Sequence, residues 1–96
     1  MKKIAMLHTS SATLAMMQQL IADIMPEVEV MHLVEESMIK QVMKAGGVTP
    51  NIAARIADYV HIAEKADCDI FITACSSIGT AVEQCQFLTP LQLARI

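Results

Sequence analysis

Short, unbroken apolar runs alternate along this chain with stretches in which apolar residues recur every three or four positions. Ile4 to Leu7 is the first run, closed by His8, Thr9, Ser10 and Ser11. Continuous apolarity predicts a strand buried on both faces, as in a parallel sheet. The hydroxyl cluster offers helix N-caps, and Leu14, Met17, Ile21 and Ile24 then form a helical stripe that Pro26 stops. Val28 to Val34 predicts a second strand. Glu35 to Lys44 predicts a short helix, with Glu36 and Lys40 placed for an i,i+4 pair and Gly46-Gly47 at its end. Thr49-Pro50 is a helix start, Thr as N-cap and Pro at the first helical position. Ile52, Ile56, Tyr59, Val60 and Ala63 form that helix's buried face. Asp69 to Ala74 predicts the third strand, Cys75 to Gly79 the turn leading into a helix through about Cys85, and Leu91 to Ile96 a fourth strand. This alternation predicts one α/β domain, a parallel sheet of about four strands with helices on both faces.

Composition narrows the function classes. With 54% hydrophobic and 18% charged residues, disorder is excluded. Eight Met against three aromatics predict an adaptable core, and the apolar surplus in 96 residues points to a face meant for another subunit or lobe. A net charge of −3 with scattered basic residues argues against nucleic-acid binding. No run approaches the length of a membrane span or of a signal-peptide apolar core. Cys68, Cys75 and Cys85 contain no C-x-x-C pair, so neither a disulfide framework nor a metal site is expected. A reduced, cytoplasmic protein is the natural expectation.

Ligands of open α/β sheets bind at the carboxyl ends of the strands. Two polar turns follow strands here, His8 to Ser11 and Cys75 to Ser77, and they converge if the first and third strands are neighbours. Cys75 is expected at a helix N-terminus, where the dipole favours a thiolate. Ser76, Ser77 and backbone N–H groups there can hold a carboxylate. The alternative is a buried Cys75 with serines that merely cap a helix. His8 is either a substrate contact and general acid/base or a polar residue satisfied by neighbouring hydroxyls. Thr9 and Ser10 are caps first and ligand contacts second. His32, His61, Cys68 and Cys85 are taken as structural. There is no G-x-G-x-x-G, Walker loop or G-x-S-x-G elbow.

The segment Thr73-Ala74-Cys75-Ser76-Ser77-Ile78-Gly79-Thr80-Ala81-Val82-Glu83 resembles the first cysteine motif of the aspartate/glutamate racemase-like family. Lys3 to Thr9 is similar to that family's opening strand, and Ala45 to Pro50 to the loop before its third helix. The resemblance implies a flavodoxin-like lobe, one of two that enclose a pocket. It also implies a cofactor-independent racemase in which a cysteine from each lobe exchanges a proton at the substrate's Cα. On that pattern Cys75 is the acid/base, and Ser76 and Ser77 bind the carboxylate of an amino-acid or related substrate. Thr9 and Ser10 line the pocket, and the loop from Gly46 to Thr49 closes over it. The family continues for about another domain, so a chain ending at Ile96 is expected to lack the second cysteine. Two alternatives accompany this expectation. A homodimer could set two Cys75 thiols across one pocket, or the domain could be a small-anion-binding or phosphoryl-carrier module using His8 or Cys75.

Overall fold

The computed structural model describes residues 2–95, the side chain of Ser76 excepted; Ile96, the expected end of the fourth strand, lies outside them. In chain order the elements are β1 (Lys3–His8), α1 (Ala12–Ile24), β2 (Glu29–Val34), α2 (Glu36–Ala45), α3 (Pro50–Lys65), β3 (Ile70–Thr73), α4 (Gly79–Gln84) and β4 (Gln92–Arg95). The four strands form a single parallel sheet in the order β2-β1-β3-β4. The protein is therefore α/β with helices on both sheet faces.

The order decides which helix goes where. Parallel crossovers are right-handed, so the step from β1 to β2 puts α1 on one face. The opposite steps, from β2 to β3 and from β3 to β4, put α2, α3 and α4 on the other. Side chains alternate across a strand, and the register pairs Ala5 with Met31 and Phe71, and Phe71 with Leu93. Ala5, Leu7, Phe71 and Leu93 accordingly pack against Met38, Val42, Ile52, Ile56, Val60, Ala63 and Val82 in one core. Its helical members come from α2, α3 and α4, and none from α1.

The helix ends follow local chemistry. Thr49 caps α3 by accepting from the Ile52 N–H at 3.3 Å, with Pro50 at the first position. Gly46 closes α2 in the left-handed region at φ 78°, its N–H donating to the Val42 carbonyl. Pro26 ends α1 as its fixed φ and missing N–H require, two residues after Ile24.

Two expectations need correction, and two hold with added detail. The α1 stripe buries no residue, and Ile24 is 65% exposed, because α1 lies over only part of its sheet face. The hydroxyl cluster does supply a capping contact, Ser10 Oγ accepting from the Ala12 N–H at 3.2 Å, while Ser11 makes no side-chain cap. Glu36 and Lys40 are both exposed and unpaired among the described residues, and the ion pair of this segment is instead the one between Glu35 and Arg55 of α3. The turn expected over Cys75–Gly79 contains a 3₁₀ turn at Ser76–Ile78, the helix expected through about Cys85 is α4, Gly79–Gln84, and a second 3₁₀ turn at Cys85–Leu88 extends it. None of the described helices is long and apolar enough to cross a membrane.

Candidate functional site

The strand order places β1 beside β3, which is the condition for the two polar turns to meet. Leu7 pairs with Thr73, so Thr9 and Cys75 each lie two residues beyond the same rung, at one carboxyl edge. The Ala74 N–H donates to the Leu7 carbonyl at 3.0 Å and carries the ladder one step further. Thr73, fully buried, accepts from the Cys75 N–H at 3.2 Å and so turns the chain out of the strand.

The three thiols differ in setting. Cys68 and Cys85 are buried in the core, and burial pushes both thiols up. Cys75 is half-buried and only partly packed against the core cluster. The dipole contact expected for Cys75 is not formed. Helix α4 begins at Gly79, has Ile78 at its N-cap with no side-chain cap, and is only six residues long. A helix dipole acts within its first turn, and a 3₁₀ turn separates α4 from Cys75.

The remaining predicted residues divide into three groups. Thr9 is buried and Ser10 half-buried at the β1 exit, on the edge that Cys75 shares. Thr49 and Ser77 come together in a groove of about 310 Å³, with Pro50, Ala53, Thr80 and Gln84. Cys75 and the β1 exit turn do not line it. His8 is turned away from both: it is fully buried on the α1 face, and each ring nitrogen has a partner, Thr13 Oγ1 at 3.1 Å and His32 Nδ1 at 2.8 Å. It therefore offers no lone pair to a substrate or a phosphoryl group. The side chain of Ser76 lies outside the described residues.

Gly79 is needed for a close approach. A Cβ at this position would lie 2.5 Å from Arg95 Cδ. Arg95 crosses here to reach Glu83 at 2.6 Å and Thr80 at 3.2 Å, tying β4 to α4 behind the cysteine turn.

Sequence reading missed a charged cluster at the same carboxyl edge. The Glu35 N–H donates to the His8 carbonyl at 2.8 Å, continuing the β1–β2 ladder by one residue. Its side chain then accepts from Ser37, from Arg55 at 2.6 Å and from Tyr59 at 2.9 Å. The Ser37 hydrogen bond, followed by those of Arg55 and Tyr59 and the guanidinium charge, outweighs burial and lowers the carboxyl to about 2. The Tyr59 hydroxyl is pushed up, by burial first and then by its bond to Glu35. Glu35 also caps α2 through the Ser37 N–H. The available signal was that Arg55 and Tyr59 stand four apart on α3, one helical face, although Tyr59 read as a core residue.

No family model, characterised protein or solved structure matches this chain. Among the described residues no group of three or more His, Cys, Asp or Glu is arranged to hold a metal ion.

Proposed function

We propose that this domain supplies one half of a cofactor-independent racemase-type site for a small carboxylate, an amino acid such as aspartate or glutamate. Cys75 is the acid/base group, with Ser10 of the β1 exit, on the same sheet edge, as the hydroxyl that receives the carboxylate. The observation that supports this reading is the position of Cys75. It is the one thiol that is not buried, and it leaves the sheet on the edge shared with the hydroxyl-rich β1 exit. A thiolate is a competent base at Cα only if substrate can reach it, and Cys68 and Cys85 fail that requirement.

Inversion at carbon needs a proton donor opposite the base. Cys75 alone supplies one side, so the second group comes from elsewhere, and a second copy related by a two-fold axis is the simplest source. One tetrahedral carbon between two reactive sulfurs requires a gap of roughly 7–8 Å between them. His8, buried and doubly hydrogen-bonded, has no part in this chemistry.

Two measurements test the reading. Iodoacetamide should alkylate Cys75 first, with Cys68 and Cys85 reacting only on unfolding, and aspartate or glutamate should slow the Cys75 reaction. In deuterated water, the protein should exchange the Cα proton of the same amino acid, and Cys75→Ser should abolish exchange. Alkylation that no amino acid slows, together with no Cα exchange at any protein concentration, would discard the proposal.

A further inference from the structure

His8 and His32 meet on the sheet face beneath α1. The register sets His32 opposite Met6 and His8 opposite Val34, so the rings approach diagonally across β1 and β2. Their centroids are 5.0 Å apart, and His8 Nε2 lies 2.8 Å from His32 Nδ1. His8 Nδ1 lies 3.1 Å from Thr13 Oγ1, and the Thr13 hydroxyl donates to the Ser10 carbonyl at 3.1 Å.

These contacts fix both tautomers. Thr13 has one hydroxyl proton and spends it on Ser10, so it accepts from His8 Nδ1–H. A neutral His8 then accepts at Nε2, and His32 must donate from Nδ1–H. The free lone pair of the chain is His32 Nε2. This atom has no hydrogen-bond partner among the described residues, and it is not sealed from solvent, the buried unpartnered side-chain atom being Glu64 Oε1. His32 lines a cleft of about 320 Å³ between α1 and β2, with Gln18, Ile21, Met25, Val28 and Val30.

No counter-charge faces the pair. The sole ionisable residue of α1, Asp23, accepts from Gln19 at 2.9 Å. On β1, Lys3 donates to the Ala66 carbonyl and pairs with Glu29 of β2. Glu35 is engaged with Arg55, Ser37 and Tyr59 of the helices on the other face. β3, the other neighbour of β1, carries no ionisable residue. A proton on His32 Nε2 therefore places an unpaired cation against aliphatic walls. A second proton, on His8 Nε2, would set two N–H groups against each other where the hydrogen bond was. Both rings are held below the ordinary imidazole value, by burial first and for His8 also by the charge of His32.

Helix α1 is the element that can yield. It contributes no residue to the core, and the Thr13–His8 bond is its one hydrogen bond to the sheet among the described residues. Through Ser10, the same chain of bonds reaches the turn at the candidate site.

We propose that the His8–His32 pair is a proton-operated latch, which holds α1 and the Ser10–Thr13 turn on the sheet when neutral and releases them when protonated. Opening hydrates the rings, so the open form binds protons more tightly and is favoured on acidification. The closed form is fully favoured above the ordinary value of 6.5 and loses ground as pH falls below it.

Native-state amide exchange, corrected for intrinsic rates, tests the latch between about pH 7.5 and about pH 5, across the imidazole range. Protection in α1 should fall by up to about tenfold per pH unit per proton, while α3 stays level. His32→Gln keeps an N–H donor for His8 but removes one of the two titrating rings, so the fall of its α1 protection with pH should be clearly shallower than in the wild type, leaving only the His8 contribution. His61→Gln, at an exposed histidine, should behave as wild type. PH-independent α1 protection in the wild type, or an unchanged pH response in His32→Gln, overturns the proposal. Should His32→Gln not fold, imidazole ¹⁵N titration of the wild type decides. The latch requires Nδ1–H on both rings at high pH and a first proton at His32 Nε2, and two independent titrations at the ordinary value overturn it.

Discussion

Glu35 shows how one side chain can set acid stability. Its carboxyl sits at about 2 against an ordinary 4.5, a depressed value, because Ser37, Arg55 and Tyr59 all favour the charged form. The stability it contributes is fully present above pH 4.5 and is lost as pH falls from there through about 2. A shift of this size corresponds to about 3 kcal/mol, reduced to about 2 kcal/mol by water at the exposed edge of the cluster. Glu35→Gln should therefore unfold about 2 kcal/mol more easily at neutral pH in urea titrations. The difference from wild type should shrink as pH is lowered through the 4.5 to 2 window. A variant whose deficit is the same at both ends of that window would show that the carboxylate charge is not the stabilising feature.

At the scale of elements, the α2–α3 connection separates two glycines that read alike in sequence. Gly46 has φ 78°, where a Cβ is strained, whereas Gly47 has no positive φ, and a Cβ there would meet nothing within 4 Å. Gly46→Ala should cost about 1 kcal/mol and Gly47→Ala should lie within about 0.5 kcal/mol of wild type, measured by thermal or urea unfolding. Such local rules made much of the fold legible. Thr49-Pro50 and the stripe Ile52, Ile56, Val60, Ala63 specify α3 before any tertiary contact is known, and all four stripe residues are buried. The run Ile4 to Leu7 likewise reads as a strand covered on both sides. What was not legible depends on which strands are neighbours. His32 read as a residue without a partner because His8 lies 24 positions away and meets it only through the β1–β2 register. The Glu35 cluster was hidden for the same reason, since Arg55 is 20 positions distant. Helix α1 read as an ordinary amphipathic helix because its sequence does not say how much sheet it must cover.

At the scale of the molecule, the two faces of the sheet are unequal. On one face Leu7 and Phe71 are fully buried beneath α2, α3 and α4. On the other, α1 is the single described helix, and Ile4, Ile70 and Ile72 stay half-buried, outside the core cluster. Met16, Leu20 and Ile24 add a stripe at four-residue spacing on the outer side of α1, 60%, 47% and 65% exposed. Aliphatic truncation should therefore cost very different amounts on the two faces. Leu7→Ala removes a side chain with no exposure and leaves a cavity, a change worth about 3 kcal/mol or more. Ile72→Ala, one strand over and on the thin face, should cost less, about 1–2 kcal/mol, because that side chain is only half-buried and the gap can collapse or flood. Urea unfolding of the two variants under identical conditions gives the comparison directly. Equal losses would mean that the α1 face is as well covered as the core face. That result would require Ile72 to be buried in solution by something the isolated fold does not supply, such as a second copy seated over β3 and β4.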